Sequence, residues 1–425
     1  MINNYSFDKD LRINAYSTDA SGISGIPINV FTPIDESEIK KIVHNNPNVT
    51  IRGGGSGLVG GAVPSEGSVV VDLSKMDKII DIDSSRMIVY VEAGVILNDL
   101  NEELSKYGLE FPVNPQSGAV CTIGGMIATN ASGPRSAKHK RMADWVVELE
   151  IIDGHAKEVK LSRIDSSNVV GMEGITGIIY RAKIKVIQKP LRTLTVYRSQ
   201  DLFKIVDLSR TLKMNNDVSM IHLLSPVLSQ ILGLEKIYHL FIEFESDRGE
   251  IKGDIYNNKI RIIDNLYKTA SLSGYIRVED PKVFLERLVD VANYLDNRKI
   301  PYHANLGIGL VNPLFQQNDF SSINDLRVFI KRIRGSIAGT FGLGRTKKGF
   351  MDINDKKLAQ RIKKRYDPHN KLNRGVIVDA DEKLGSPTKE SIAEIIKEID
   401  KQEEQKEEEL IKKVISKGFI GEEIK

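Results

Sequence analysis

The segment Arg52-Gly53-Gly54-Gly55-Ser56-Gly57-Leu58-Val59-Gly60-Gly61 places the tightest constraint on what this chain can become. Val49–Ile51 in front of it reads as a strand. Inside it lies a formal dinucleotide fingerprint, Gly55-Ser56-Gly57-Leu58-Val59-Gly60. A Rossmann site requires a helix to follow at once. Here Pro64 follows, and then Ser68–Leu73, another strand-forming run. The glycines must therefore serve a different purpose. Consecutive residues without Cβ let several backbone N–H groups converge on one anion. A loop cradling a pyrophosphate fits, with no helix dipole. A glycine-rich turn between strands is the plainer reading of the segment by itself.

Two later segments share this texture. Pro112–Gly133 is dominated by small residues, among them Pro115, Gly118, Gly124, Gly125, Asn130 and Gly133. Such residues let main chain lie flat against a ring and donate N–H bonds to its edge. Glu173, Gly174 and Gly177 then lead into a strand beginning at Ile178, with Gly171 just before. Each could also be a tight turn.

Between these loops, short β-rich runs alternate with amphipathic helices. Asp35–His44 places Ile39, Ile42 and Val43 on one helical face, and Ile96–Tyr107 does the same with Ile96, Leu97, Leu100 and Leu104. Gly108 stands where a helix should stop. Val146–Ile152, Asp153-Gly154 and Glu158–Leu161 predict a hairpin. Near Lys189-Pro190 the glycine clusters cease. Leu202–Leu212 and Val283–Leu295 predict helices, and Tyr238–Glu245 and Tyr302–Val311 predict strands. A glycine-rich stretch and a basic helix fill Gly335–Val378. Ser386-Pro387 suits a helix start, and two apolar stripes follow, Ile392/Ile395/Ile396/Ile399 and Leu410/Ile411/Val414/Ile415. Apolar stripes need a surface. The tail packs on its own protein or docks on a partner subunit. The organisation predicted is 1–190, 191–335, 336–380 and 381–425.

A net charge of +3 on 425 residues makes no case for nucleic acid. One cysteine, Cys121, excludes an internal disulfide framework and an iron–sulfur cluster held by this chain alone. No activating neighbour is identifiable, so Cys121 reads as a buried filler. The start lacks the pattern of a secretory signal. No window reaches the ~20 apolar residues of a membrane span. The expectation is a cytoplasmic protein that meets a membrane only through a partner.

Taken together and in this order, the three glycine-rich segments resemble the FAD domain of the vanillyl-alcohol oxidase, or PCMH-type, family. That family includes D-lactate dehydrogenase, D-2-hydroxyglutarate dehydrogenase and the FAD subunit of glycolate oxidase. The likeness starts at Tyr16-Ser17-Thr18-Asp19 and runs to about Pro190. It resumes in Tyr366–Gly375, similar to the family's closing motif. The resemblance implies an α+β fold: a two-subdomain FAD-binding domain, an α+β cap that is reduced here, and a helical tail. It implies that Arg52, Gly53, Gly54, Gly55, Ser56, Gly57 and Gly60 hold the pyrophosphate. Pro115, Gly118, Gly124, Gly125, Asn130 and Gly133 would line the flavin and ribityl chain. Glu173, Gly174, Gly177 and Ile178 would serve the adenine side and pyrophosphate, and Asn373 would approach the flavin. Some relatives attach flavin through a histidine in the first loop. Ser56 occupies that neighbourhood, which implies non-covalent FAD.

The family's catalytic pattern is broken. Relatives carry His-x-Gly-Asp-Gly-Asn-x-His and Gly-Glu-His-Gly-x-Gly, which supply metal ligands and a proton-accepting histidine. The corresponding stretches here are His303–Leu310 and Gly339–Gly344. Only His303 remains. Leu310, Thr340 and Phe341 stand at the second histidine, the glutamate and the base. Leucine and phenylalanine have no lone pair for a metal or a proton. No metal site is expected, His303 reads as structural, and Tyr302 and Lys347 are candidate replacement bases that nothing selects. Two functions stay open. One is oxidation of a hydroxy acid or similar small molecule, with electrons passed to an iron–sulfur partner. The other is a flavin-carrying or structural subunit without that oxidation.

Overall fold

The computed structural model describes residues 13–382. The tail stripes predicted between Ile392 and Ile415 lie outside the described residues. The chain up to Ala380 clusters as one unit.

Two sheets build the first part. Strands β1 (Asn29–Phe31), β2 (Val49–Arg52) and β3 (Val69–Asp72) form a parallel sheet in the order β1-β3-β2. The helix Glu36–Asn45 crosses between β1 and β2. Asp35 caps it by accepting from the Glu38 N–H at 2.9 Å, and Ile39, Ile42 and Val43 are buried. The second sheet is antiparallel. It contains β4 (Ile79–Asp83), β5 (Ile88–Glu92), β7 (Val146–Ile152), β8 (Glu158–Ser162) and β9 (Ile178–Lys185), in the order β4-β5-β9-β7-β8. Strands β6 (Leu109–Glu110) and β10 (Ile187–Gln188) pair as a short ribbon. The helix Leu97–Ser105 stops as expected, with Gly108 at φ +68°. One core holds this part together. It also takes in Tyr366 and Leu372 from the far end of the chain.

The second part is a six-stranded antiparallel sheet. Its strands are β11 (Thr193–Ser199), β12 (Val218–Leu224), β13 (Tyr238–Phe244), β14 (Tyr275–Val278), β15 (Tyr302–Asn305) and β16 (Leu310–Gln316). Their order is β11-β13-β12-β15-β16-β14. Two apolar clusters cover its faces. The stretch predicted as one strand, Tyr302–Val311, is instead a hairpin whose turn contains Gly307 and Gly309. The helix predicted from Val283 begins at Leu288, after a tight turn at Leu285–Arg287. The Val283 N–H is committed to the Gly309 carbonyl, which keeps that residue out of the helix.

A buried ion network ties the two parts. Arg135 donates twice to Glu243, at 2.8 and 3.2 Å, and Arg192 reaches Glu110 and Glu245. The C-terminal segment then returns to the first sheet. The Val49 N–H donates to the Lys371 carbonyl and the Asn373 N–H to that of Val49. Lys363, fully buried, anchors this return by donating to the carbonyls of Ile175 and Leu372 and to Asp367. Burial lowers its pKa, and Asp367 acts the other way.

Candidate functional site

A cavity of about 570 Å³ lies where the two parts meet. That is within the size range of cofactor and ligand clefts. One wall comes from the three glycine-rich segments. The other comes from the six-stranded sheet and the helix Leu266–Leu272, with Thr340, Phe341 and Asn373 closing the ends.

The first loop leaves β2 and runs along the cavity. From Gly53 through Gly61, no backbone N–H donates a hydrogen bond to another described residue. Gly53–Leu58 are half-buried or exposed and Val59 and Gly60 are buried, so most of these donors stay open to solvent or a ligand. A row of unpaired donors lining a cavity fits an anionic ligand rich in acceptors and poor in donors, as a pyrophosphate is. The loop presses against the segment at Val120–Thr122. A Cβ on Gly54 would fall inside the Val120 carbonyl oxygen, so only glycine lets the chain pass there.

The second segment is not all loop. Thr122 caps the helix Ile123–Thr129, which ends on Asn130 in the left-handed conformation. The third segment is held by the C-terminal return. Asn373 donates to the Glu173 carbonyl at 2.6 Å and accepts from the Ile51 N–H at 2.8 Å. Gly174 has φ +78°, and a Cβ there would meet the Asn373 amide at 2.7 Å. The first loop, the third segment and the closing motif thus meet through one asparagine.

Most of the predicted cofactor residues line this cavity: Gly53, Gly54, Gly55, Ser56, Gly57, Pro115, Gly124, Gly125, Gly133, Glu173, Gly174, Gly177 and Asn373. Five do not. Arg52 turns away, stacking over Tyr16 and donating to the carbonyls of Thr18 and Ala62. Gly60 faces Ile23 and Ser21, and Gly118 faces Asn98. Asn130 accepts from the Ala143 N–H, and Ile178 belongs to the core of the first part. These five support the loops from behind.

Leu310, Thr340 and Phe341 line the cavity, as does His303. Among the described residues, no group of three or more His, Cys, Asp or Glu could hold a metal ion. Neither candidate base reaches the lining. The Tyr302 hydroxyl donates to Asp296, and the Lys347 ammonium is sequestered by Asp280 and Glu279. Asp280 also accepts the N–H groups of Gly339, Thr340 and Phe341, fixing that loop. Cys121 lines the cavity as well, but burial pushes its thiol up to about 11, consistent with an inert filler.

His222, Tyr267, Asn305 and Asn312 line the cavity and escaped the sequence reading. The signal was a polar residue inside an unbroken buried run: every residue of Val218–Leu224 is buried.

Glu173 is buried and accepts the N–H groups of Leu343 and Gly344. Burial pushes its carboxyl up to about 7 from 4.5, and those two bonds oppose the rise. The folded protein therefore binds the proton more tightly than the unfolded chain. Stability falls as pH rises through the window between those values. Glu173→Gln should remove that fall, a difference on the order of 3 kcal/mol. Denaturant unfolding at pH 4.5 and pH 7.5 checks it; parallel pH profiles for the two proteins would contradict it.

The fold and this cavity define a two-part flavin-binding protein in which a small-residue cradle faces an antiparallel cap sheet. Comparisons with known proteins agree. Residues 27–162 match the model of the FAD binding domain family. A D-lactate dehydrogenase of Archaeoglobus fulgidus is 27% identical over 414 residues, covering 82% of this chain and 91% of that protein. A D-lactate dehydrogenase of Anaerostipes hadrus is 35% identical over 167 residues, covering 37% of this chain and 35% of that one. The glycolate oxidase subunit GlcD of Bacillus subtilis is 32% identical over 190 residues, 41% and 40% of the two chains. The matched region thus spans little more than a third of the last two relatives. A solved alkyldihydroxyacetonephosphate synthase shares the fold, with TM-score 0.60, 18% identity and coverage of 81% and 75%. Residues 27–162 form an FAD binding domain, the fold is one shared with that synthase, and the cofactor is FAD.

Proposed function

We propose that this protein is an FAD-dependent oxidoreductase of the D-lactate and glycolate dehydrogenase type. The observation that carries the reading is the two-walled cavity, with main-chain N–H groups that lack a protein acceptor on one side and polar side chains of the cap sheet on the other. FAD supplies a two-electron acceptor when bound. The unpaired N–H groups of Gly53–Gly57 would hold its pyrophosphate, non-covalently. Pro115, Gly124, Gly125 and Gly133 would bring main chain close to it, and Glu173, Gly174, Gly177 and Asn373 would complete the cradle. Apolar lining from Leu310 and Phe341 keeps water from the reacting carbon. Lys268, on the helix Leu266–Leu272, lines the same cavity and suits a substrate carboxylate.

The electrons leave to an iron–sulfur partner in this reading, because one cysteine cannot hold a cluster. The protein works in the cytoplasm. No helix among the described residues is long and apolar enough to cross a membrane.

A second reading has one specific observation in its favour. Leu310, Thr340 and Phe341 line the cavity where the family's ligands and base would stand, so the protein would carry flavin for a complex without oxidising a hydroxy acid itself. Anaerobic mixing of FAD-loaded protein with D-lactate, glycolate and 2-hydroxyglutarate decides between them. Loss of absorbance near 450 nm with one of these supports the oxidoreductase. No bleaching with any, together with co-purification of an iron–sulfur protein, supports the carrier.

A further inference from the structure

The cap wall carries polar atoms that the cofactor cradle does not use. His222, on β12, is 2% exposed, and neither of its ring nitrogens has a hydrogen-bond partner among the described residues. Its ring stacks on that of His303, on the adjacent strand β15, with centroids 4.9 Å apart and planes 18° apart. His303 Nε2 lies 2.9 Å from the Tyr267 hydroxyl, and its Nδ1 has no partner. Asn305 uses its amide on the carbonyls of Gly133 and Pro134, and its Oδ1 has no partner. All of these residues line the one cavity.

Buried polar groups are normally satisfied, so a cluster of unpaired ones on residues that line a cavity points to a ligand. A metal does not fit. The lone pairs of the stacked rings lie in two nearly parallel, separated planes, so one ion cannot sit in both at ~2.1 Å. Thr340 and Leu310 add no ligand. A fixed anion site does not fit either, because burial drives His222 down to about 3 and His303 well below its ordinary value. A neutral imidazole offers one donor and one acceptor. In the tautomer in which Tyr267 donates to His303 Nε2, the His303 Nδ1–H is an unpaired donor. His222 then supplies an acceptor beside it. That is the complement of an alcohol hydroxyl.

We propose that His222, aligned by its stack on His303, receives the substrate's hydroxyl group in a metal-independent subsite on the cap wall. The inference rests on the flavoprotein reading above, for which it names the substrate-contacting residue. His222 accepts the O–H hydrogen bond, and His303 donates to the same oxygen.

Calorimetric titration of the FAD-loaded full chain with D-lactate, glycolate and 2-hydroxyglutarate tests it. Wild type should bind at least one of them, and EDTA should leave that affinity unchanged. His222→Phe should keep its flavin and weaken binding by about 10–100-fold, the loss expected for a hydrogen bond to a polar or charged ligand. His222→Asn should recover part of it. Should His222→Phe fail to fold, ring ¹⁵N signals of the wild-type histidines, of which there are seven in the chain, provide the readout. The bound hydroxy acid should move two of them. Equal affinity in wild type and His222→Phe, loss of binding to EDTA, unmoved ring signals, or no binding of any probe would overturn the proposal. Wild type that binds a probe but takes up no FAD would sink the flavoprotein reading, while the His222→Phe comparison still decides the subsite.

Discussion

Gly54→Ala is expected to strip the purified protein of FAD. The new methyl group would occupy the position of the Val120 carbonyl oxygen, and that oxygen is main chain, so it cannot rotate aside. The loop has to move away, and its unpaired N–H groups move with it. Overpacking of this kind costs about 1–3 kcal/mol, which at the upper end is roughly a hundredfold in affinity. The fold should survive, because the loop lies at the cavity and the core of the first part does not depend on it. Gly349→Ala is the control. A Cβ there meets nothing within 4 Å. Flavin per chain, from the ratio of absorbance near 450 nm to that near 280 nm, checks the pair. Full flavin content in Gly54→Ala would contradict the placement of the pyrophosphate.

Asp280→Ala should cost the most stability of any single change at the site, about 3–5 kcal/mol, the range for breaking a buried ion pair by removing one partner. The carboxylate is wholly buried. It pairs with Lys347 and accepts N–H bonds from Gly339, Thr340 and Phe341, at 3.0, 2.6 and 2.7 Å. Alanine would leave three main-chain donors without an acceptor and Lys347 with Glu279 as its remaining partner. Asp280→Asn keeps an oxygen for the loop but loses the ion pair, so it should fall in between. Because Thr340 and Phe341 line the cavity, ligand affinity should fall alongside stability. Urea unfolding of the three proteins gives the order. Wild-type stability in Asp280→Ala would show that this carboxylate does not hold the loop.

The cradle was legible in sequence because glycine declares itself. A run such as Gly53–Gly57 without a following helix has few structural uses. Gly108 likewise marked a real helix end, since caps are local. The cap wall was not legible. His222, Tyr267, His303 and Asn305 come from two strands and a helix spread over more than 80 positions, and no local spacing links them. Their shared site is created by the pairing of β12 with β15, a long-range property. The Tyr302–Val311 hairpin reads as one strand because both its halves are buried and strand-like, and Gly307 and Gly309 are the residues that reveal the turn. Arg52, Gly60, Gly118, Asn130 and Ile178 show the converse. They belong to the same motifs, but they are not among the residues that line the cavity.

The division of the cavity into an intact flavin wall and an altered catalytic wall rests on FAD being held there without a covalent link. Acid precipitation of the protein, followed by identification of what stays in the supernatant, measures this directly. A yellow protein that releases one FAD per chain, leaving a colourless pellet, is the predicted result. A colourless protein that takes up no added FAD, or a pellet that keeps its flavin, would contradict it.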